Sequence, residues 1–583
     1  MGFMIKNNLL VLLVFLILGG CDNSSIQSGN ISEQKNDEIR NYIITQTSEK
    51  KSIDLRGKFG TNLKGIKLTG INLSGIDLSG IDFSDAEFAR VDFSGCNISN
   101  TNFKGANIQE SDFSNVVFSN FNAEGVDFQS SIFHKTKFIN SDFSDCNFEE
   151  SELVGAIIQD SLFEETNFSK ALIQDTVIEN ANFQKSVFIA ANFNNVTIKN
   201  VAFFGVDMRK AILKKFVSNV CSFESSDLSE IEISESVFKG GDFSQVILDD
   251  AKITNNVQFD SCLLVYASFK RALMDLLSVA NCNIRDAIFS ASNIKNSRIQ
   301  DSYLNNAKFT GADINGLYLD AVAIPNGDFE KASLKSVKII NSDLSYARFT
   351  NNVASKVELV TDNLSGAYFE NYFFEDSSFK NSDFSKVVFM KSEIKRTDFT
   401  STRLDKIAII NSNLENVVFN NAPVTNSQIR FSSNIASVVI NSPFTRNILI
   451  GNKGLVNIAI RDSYNSLEEL MATSNLSGLN MAYMDFSKME IKDKNFSEVI
   501  LQGVSFRETK FHNCLFKNAD LSGADFSNAD LSGSEITDVN LKGTIFNETN
   551  LTGAKLNSLD FKRSFVTNVN VKDAELNSVI GLE

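Results

Sequence analysis

The sequence has few of the residues on which enzyme chemistry usually depends. Its 583 residues include no tryptophan, three prolines and two histidines, His134 and His512, which lie far apart in the chain. Catalysis or metal binding by a histidine pair is therefore not expected. The 55 lysines and arginines are outnumbered by 71 aspartates and glutamates, which gives a formal net charge of −16. That balance excludes a basic nucleic-acid-binding protein.

Residues 1–20 predict an export signal. Lys6 is followed by an apolar run from Leu9 to Leu18, which is too short to cross a bilayer because a spanning helix needs about 20 apolar residues. The sequence Leu18-Gly-Gly-Cys21 resembles the lipobox of bacterial lipoproteins, and this resemblance implies lipidation of Cys21 after residues 1–20 are removed. An uncleaved or ordinary signal peptide is the alternative. The lipoprotein interpretation places the protein in the bacterial cell envelope, on the periplasmic or surface face of a membrane.

Residues 21–53 are expected to form a tether that ends in a capping helix. From Asp22 to about Asp37 the chain is rich in serine, asparagine and glutamine, which is typical of a flexible linker. The stretch from Glu38 to Lys51 is weakly amphipathic and predicts a short helix. We expect this helix to cover the first turn of the domain that follows.

A five-residue repeat governs the rest of the chain. Ile71-Asn-Leu-Ser-Gly, Ile76-Asp-Leu-Ser-Gly and Ile81-Asp-Phe-Ser-Asp follow one another directly. We take the large apolar residue as the centre of each repeat. A small residue stands two positions before each centre, so these two side chains should share one interior while the other three face water. The last residue is often glycine or asparagine, where a positive φ would let the chain turn a corner. The centres run from Leu63 to Ile253, from Phe259 to Leu449 and from Leu476 to Leu576.

A second period of twenty residues indicates that four repeats make one turn. Most of the 51 phenylalanines occupy centres, and they recur at this spacing, as in Phe163, Phe183 and Phe203. Rings on successive coils about 4.8 Å apart would stack into an aromatic ladder. Between Ile253 and Phe259 the step is six residues. A bulge or small loop is expected at 254–259, and the ladder should move there to the neighbouring face.

The repeats resemble those of the pentapeptide-repeat family. Ala519-Asp-Leu-Ser-Gly, Ala524-Asp-Phe-Ser-Asn and Ala529-Asp-Leu-Ser-Gly match the family consensus. The resemblance implies an all-β fold, a right-handed four-sided parallel β-helix, in two rod segments at 54–450 and 476–583. Between them, at 451–475, the pattern fails, and Ser466-Leu-Glu-Glu469 is a capping box that predicts a short helix.

The length of this fold and its C-terminal coil lead to two further expectations. About 25 coils at the strand spacing would make a continuous stack on the order of 120 Å long. Seven residues follow Leu576, too few for a capping helix. Some family members dimerise tail to tail, and the resemblance therefore suggests a homodimer closed through the C-terminal coil.

No catalytic, cofactor or metal site is predicted. All six cysteines other than Cys21 occupy the small inward position and are expected to be core residues. Cys262 and Cys282 should lie on adjacent coils. The pattern does not decide whether a disulfide joins them, although parallel side chains disfavour one. A coil with five-residue sides is too narrow to form the cleft of a polysaccharide-cleaving β-helix enzyme.

Clustered acidic residues are the candidate interaction patch. Residues 91–170 hold 13 acidic and 4 basic residues. Quinolone-resistance members of the family resemble DNA and occupy the DNA site of gyrase. The resemblance therefore implies gyrase binding as one use for such a patch. A solvated acidic face is the other interpretation, and export argues against a partner in the cytoplasm. The candidate residues are Asp112, Asp127, Asp142, Glu149, Glu152, Asp160 and Glu165.

Together these features predict a non-catalytic, membrane-anchored lipoprotein. Its long acidic rod would serve as an interaction or structural scaffold for envelope proteins of unknown identity. A DNA-mimicking protein that binds a type II topoisomerase is the alternative.

Overall fold

The computed structural model describes residues 31–430, 435–436, 439–441, 444–450, 460–461, 463–464 and 466–582. Residues 1–30 lie outside this range, so the predicted signal peptide, Cys21 and most of the tether do too. The described chain is an all-β parallel solenoid of about 24 turns with few helices, as the five-residue repeat predicts.

Two helices cover the first coil. Helix α1 spans Glu33–Ser48 and α2 spans Leu55–Phe59. Helix α1 begins at Glu33 because the Ser32 hydroxyl accepts a hydrogen bond from the backbone N–H of Lys35. Its Ile39 and Ile43 are buried against the core. The Asn36 amide donates to the carbonyl of Lys67 and accepts from its N–H, both at 2.9 Å. The helix therefore supplies the hydrogen bonds that a first strand would otherwise lack.

Each coil has four sides, and each side turns one apolar centre inward. We name the four faces after the centres of the coil that begins at Phe163. Each face includes the equivalent residues of all the other coils. Face A contains Phe163, face B Phe168, face C Ile173 and face D Ile178. The corners are left-handed, as at Asn180, where φ is 52°. Neighbouring coils pair in parallel with a twenty-residue offset, which brings every centre over its equivalent.

Most strands are three residues long. Face C carries a 15-stranded sheet and face D a 14-stranded sheet. The strands of face C are Glu152–Val154, Leu172–Gln174, Asn192–Asn194, Ile212–Lys214, Glu232–Ser234, Lys252–Thr254, Leu273–Asp275, Asn293–Lys295, Asp313–Asn315, Ser333–Lys335, Val353–Ser355, Phe373–Glu375, Glu393–Lys395, Asn413–Glu415 and Ile435–Ala436. Those of face D are Val117–Ser119, Lys137–Ile139, Ile157–Gln159, Val177–Glu179, Thr197–Lys199, Val217–Asn219, Val237–Lys239, Gln258–Asp260, Ser278–Ala280, Arg298–Gln300, Tyr318–Asp320, Lys338–Ile340, Glu358–Val360 and Ser378–Lys380, and Val418–Asn420 pairs with Val439–Asn441 on the same face.

Faces A and B carry shorter sheets. The strands of face B are Lys67–Thr69, Glu87–Ala89 and Asn107–Gln109, then Arg348–Thr350, Tyr368–Glu370, Val388–Met390, Ala408–Ile410 and Gln428–Arg430. Those of face A are Leu404–Asp405, Val424–Thr425, Phe444–Thr445 and Ile460–Arg461.

The aromatic ladder is confirmed. On face A the ring centroids from Phe143 to Phe243 are 4.9–5.2 Å apart on successive coils. On face B they are 4.7–5.0 Å apart from Phe269 to Phe389. The rings are nearly parallel within each run, so every interior ring is buried between two others.

The six-residue step is a widened corner. Asn255 and Asn256 are both left-handed, with φ of 59° and 63°. Ile253 still pairs with Ile233 on one side and Met274 on the other, so the extra residue changes the coil length without breaking the sheet. The ladder moves from face A to face B here, as predicted. The N–H of Leu248 on face B donates to the carbonyl of Ser268, and Phe269 is the next centre on that face.

The second solenoid has its own core and lies beside the first. Helix α3 spans Leu467–Ala472, and the Ser466 hydroxyl accepts from the N–H of Glu469 at 3.1 Å. The first coil after α3 contacts the side of face B instead of extending the first stack. The two solenoids are therefore not one continuous stack. The strands of the second are Glu490–Lys492, Lys510–His512, Leu515–Lys517, Glu535–Thr537, Ile545–Asn547, Lys555–Asp560, Phe565–Thr567 and Glu575–Ile580, with a 3-10 turn at Phe561–Arg563.

Candidate functional site

The seven candidate acidic residues do not share one face. Asp142 and Glu165 belong to face A and its corner, and Asp127 and Glu149 belong to face B. Asp112 and Glu152 lie on face C, while Asp160 turns the corner after face D. These residues cluster in sequence but lie around the circumference of the solenoid, because each five-residue repeat turns the chain to the next side. Their role in binding a partner remains a prediction.

The aspartates that precede the centres have a local structural role. The Asp112 carboxylate accepts the N–H of Ser114 at 2.7 Å, and Asp142 accepts the N–H of Ser144 at 3.0 Å. Asp127 accepts the N–H of Gln129 at 3.1 Å and the Asn147 amide of the next coil at 2.8 Å. Such contacts hold the corner and join neighbouring coils. The frequent aspartate or asparagine before each centre is therefore explained by folding alone.

Several of the other candidate acids are paired across coils. Lys170 lies 3.1 Å from Glu149 and 2.9 Å from Glu150, and Lys185 lies 2.8 Å from Glu165. The hydrogen bond from Lys170 lowers the pKa of the Glu150 carboxyl. Asp160 accepts the Asn180 amide at 2.9 Å. These exposed pairs partly neutralise the negative charge of this region, and each contributes little to stability.

The histidines and cysteines occupy the positions that the repeat predicts. His134 Nε2 lies 2.9 Å from Glu152, and His512 Nε2 lies 3.1 Å from Glu490, both at the surface. The six cysteines that the structure describes are free and buried. The Cys262 N–H donates to the Cys282 sulfur at 3.3 Å, so these two thiols are neighbours and are not bonded. Within the described ranges, no group of three or more histidine, cysteine or acidic side chains could hold a metal ion.

The contact between the two solenoids was not predicted. The Gln428 amide on face B donates to Asn480 Oδ1 at 3.0 Å and to the Ala482 carbonyl at 2.9 Å. Arg430 Nη2 donates to the Tyr483 carbonyl at 3.2 Å. Beside these bonds an apolar cluster is formed by Val388, Ala408 and Ile410, with Tyr368, Met390 and Tyr483 packed against it.

The sequence contained a signal for this contact. The positions on either side of a centre are usually polar because they face water, but on face B they become Val388, Met390, Ala408 and Ile410. Val388, Ala408 and Ile410 are buried although their places in the repeat point outward. A run of apolar residues at outward positions on one face therefore marks where a second element packs.

Residues of both solenoids line a groove of about 880 Å³ next to this contact. One wall is a corner of the first solenoid, with Tyr346, Gly366, Lys386 and Lys406 on four successive coils. The other wall is a face of the second solenoid. It includes Tyr483, Glu498, Gln502, Gly503, Asp520, Ser522 and Lys542. A single coil was expected to be too narrow for the cleft of an enzyme, whereas this groove is lined by residues of both solenoids. This groove needs both solenoids.

No helix in the part of the chain that the structure describes is both long and apolar enough to cross a membrane.

Two family models match the sequence. The model "Pentapeptide repeats (8 copies)" matches residues 66–105, 106–145, 131–169 and 171–209. The model "Pentapeptide repeat region" matches residues 470–546 and 509–580. No protein of curated function matches the chain.

Several solved structures are similar to parts of the chain. A structure of QnrB1, a plasmid-mediated fluoroquinolone resistance protein, is 21% identical, covers 32% of this chain and 82% of its own, and has a TM-score of 0.22. HetL from Nostoc sp. strain PCC 7120, a pentapeptide repeat protein involved in heterocyst differentiation regulation, is 17% identical. It covers 41% of this chain and 85% of its own, with a TM-score of 0.15. A pentapeptide repeat protein from the thylakoid lumen of Arabidopsis thaliana is 26% identical, covers 18% of this chain and 61% of its own, and has a TM-score of 0.13.

Proposed function

Since the chain is a pentapeptide-repeat protein, we propose that it is a membrane-anchored lipoprotein without catalytic activity, whose solenoids form a scaffold for proteins of the bacterial envelope. The observation that carries this proposal is the sequence Leu18-Gly-Gly-Cys21, followed by a polar tether and then by a capped solenoid. A lipid at Cys21 would hold the N-terminal end of the solenoid near the membrane. The remaining coils would extend away from it and present their faces to partners.

The surface of the first solenoid supports a binding role more than a chemical one. Its faces are flat parallel sheets, and a flat sheet offers a broad surface for another protein. The acidic side chains are engaged in turns and cross-coil pairs, as Asp127 and Glu149 are. Fixed side chains lose little conformational freedom when a partner binds, which favours association.

Gyrase binding is the second candidate. It is supported by the acidic composition and by the resemblance to the pentapeptide-repeat family, whose quinolone-resistance members occupy the DNA site of gyrase. Two features count against it. The seven candidate acids are spread around the circumference of the solenoid, and the predicted lipid would keep the protein away from a cytoplasmic enzyme.

A homodimer through the last coil is part of the proposal. Leu576 is a centre, yet its side chain is 52% exposed, whereas the equivalent Leu556 is fully buried. Phe565 and Ile580 are exposed on the same end of the second solenoid. Covering these side chains with a second copy would bury apolar surface and pair the free strand edge. Sedimentation of the chain and of a Leu576→Lys variant tests this, with a dimer expected only for the unchanged chain.

Fractionation combined with affinity capture tests the scaffold proposal. The intact chain and a Cys21→Ala variant would be expressed with the same C-terminal tag, and partners would be captured from membranes and from cytosol. We expect the unchanged chain in the membrane fraction with one or more specific envelope proteins, and we expect Cys21→Ala to lose both. Recovery of gyrase from the cytosol with either form would support the second candidate instead.

A further inference from the structure

The groove between the two solenoids has the features of a ligand site. It is lined by the corner column Tyr346, Gly366, Lys386 and Lys406 of the first solenoid and by residues of the second. At the strand spacing, these four corner positions span roughly 14 Å, enough for an elongated ligand. The volume of about 880 Å³ is within the range of sites that hold small molecules and short oligomers.

One wall places two like charges next to each other. Lys386 and Lys406 turn the same corner on adjacent coils, and neither forms an ion pair with any residue that the structure describes. Some corner lysines elsewhere lie against an acid of the preceding coil, as Lys170 does with Glu150 and Lys185 with Glu165. Adjacent ammonium groups repel each other, and an anion placed between them would relieve that repulsion. Lys542 adds a third cation from the opposite wall.

Two tyrosines, one from each solenoid, line the groove in the same way. The Tyr346 ring lies over Gly366 and the Tyr483 ring lies over Gly503. Each glycine is the equivalent corner residue of the next coil. A Cβ at Gly366 would be 2.7 Å from Tyr346, and one at Gly503 would be 2.8 Å from Tyr483, so both glycines make room for a flat ring. Tyr346 is 61% exposed. Its free side is an apolar shelf beside the lysines.

Acceptors on the opposite wall limit the kind of anion that fits. Glu498 and Asp520 of the second solenoid line the groove, and Asp520 already accepts the Asn540 amide at 2.8 Å. A ligand charged along its whole length, such as a nucleic acid, would meet these carboxylates and be repelled. A ligand with hydroxyl groups could donate to them while its own negative groups face Lys386 and Lys406.

We propose that the groove binds a carboxylate-bearing oligosaccharide, with a sugar ring against Tyr346 and a uronate carboxylate between Lys386 and Lys406. The hydroxyl groups of the sugar donate to Glu498 and Asp520. The site depends on the docking of the two solenoids and does not depend on the lipid at Cys21. A scaffold without an anchor would still bind the sugar.

Calorimetric titration of the full-length chain with tetragalacturonate tests the proposal. Three variants are compared with the unchanged chain. K386Q/K406Q removes both charges, and Tyr346→Asn removes the ring while keeping a residue that tolerates the left-handed corner. The matched control is K135Q/K215Q, which neutralises two exposed corner lysines with φ of 54° and 52° outside the groove.

We expect K386Q/K406Q and Tyr346→Asn each to weaken binding by at least tenfold and K135Q/K215Q to leave it within twofold. Binding to the unchanged chain should weaken as salt rises, because the contact is partly ionic. An uncharged tetrasaccharide should bind far more weakly than tetragalacturonate. The proposal is overturned by no binding of tetragalacturonate, by equal binding to K386Q/K406Q and the unchanged chain, or by tighter binding of oligothymidylate of similar length.

Discussion

Arg430 on face B donates from Nη2 to the carbonyl oxygen of Tyr483 at 3.2 Å and thereby joins the first solenoid to the second. Its Nε donates to Gln428 Oε1 at 2.7 Å, and burial lowers the pKa of the guanidinium to about 10. The interface thus combines a buried cation with backbone acceptors and an adjacent apolar cluster. The groove exists only while this contact holds.

Replacing Arg430 with methionine should separate the two solenoids. The change removes the donor to the Tyr483 carbonyl and to Gln428 Oε1, and an unpaired buried acceptor costs about 1–3 kcal/mol. Small-angle scattering should show a larger radius of gyration, and calorimetry should resolve a separate transition for the second solenoid. The control is Arg285→Met at an exposed position beside Asp286. An unchanged scattering profile for Arg430→Met would show that the interface does not depend on this side chain.

Truncating one ring of the ladder should destabilise the first solenoid strongly. Phe309 lies between Phe289 and Phe329, with centroids 4.8 Å away on both sides. Phe309→Ala should lower the free energy of unfolding by about 3–5 kcal/mol, and Phe309→Leu by less, because leucine fills part of the cavity. Phe204 is 40% exposed, so Phe204→Ala should have a small effect. Equal losses in urea unfolding for the two alanine variants would argue against the ladder as the main source of stability.

Asp362 should make stability depend on pH. Its carboxyl points into the core and is 2% exposed, and Oδ1 accepts the N–H of Ser342 at 2.8 Å, while Oδ2 has no partner among the described residues. Burial raises its pKa to about 7. The folded state therefore favours the protonated form. Ionising the buried carboxyl lowers the stability of the folded state. This loss is absent below about pH 4, grows as pH rises, and is complete above about pH 7.

Asp362→Ser removes the group that titrates, and serine is the residue that the repeat places at the equivalent Ser342 and Ser382. The variant should gain on the order of 3 kcal/mol over the unchanged chain at pH 8 and little at pH 4. Melting temperatures across that range measure the difference, with Asp301→Asn at an exposed corner as the control. A gain of equal size at both pH values would show that charge is not the cause.

The widened corner should tolerate a deletion that a regular corner does not. Removing Asn256 restores a five-residue step and leaves Ile253 paired with its neighbours on both sides. We expect a change in stability within about 0.5 kcal/mol. Removing Asn296, a regular corner with φ of 45°, shortens a step to four residues and shifts every later side chain off its face. If both deletions unfold the chain at the same urea concentration, the extra residue has a packing role that the register does not reveal.

Most of the fold could be predicted from the repeat, because one physical constraint recurs in every coil. A small inward residue and a large centre such as Ala171 and Ile173 must fill the same interior, so the sequence pattern predicts the coil, the ladder and the shift at Ile253. The docking of the second solenoid depends on tertiary contacts instead. Val388 and Ile410 look like isolated exceptions when each repeat is considered alone, and only their shared face shows that they form one surface. The groove could not be predicted, because its two walls lie far apart in sequence and meet through that docking. The acidic residues illustrate the converse, since Asp112 and Asp127 are near in sequence but lie on different faces.

The most direct test of the proposed function is mass spectrometry of the N-terminal peptide from protein isolated from membranes. Cleavage before Cys21 and a diacylglycerol group on its sulfur are the predicted result, with the Cys21→Ala variant uncleaved and unmodified. An unmodified Cys21 in a protein recovered from the cytosol would contradict the account.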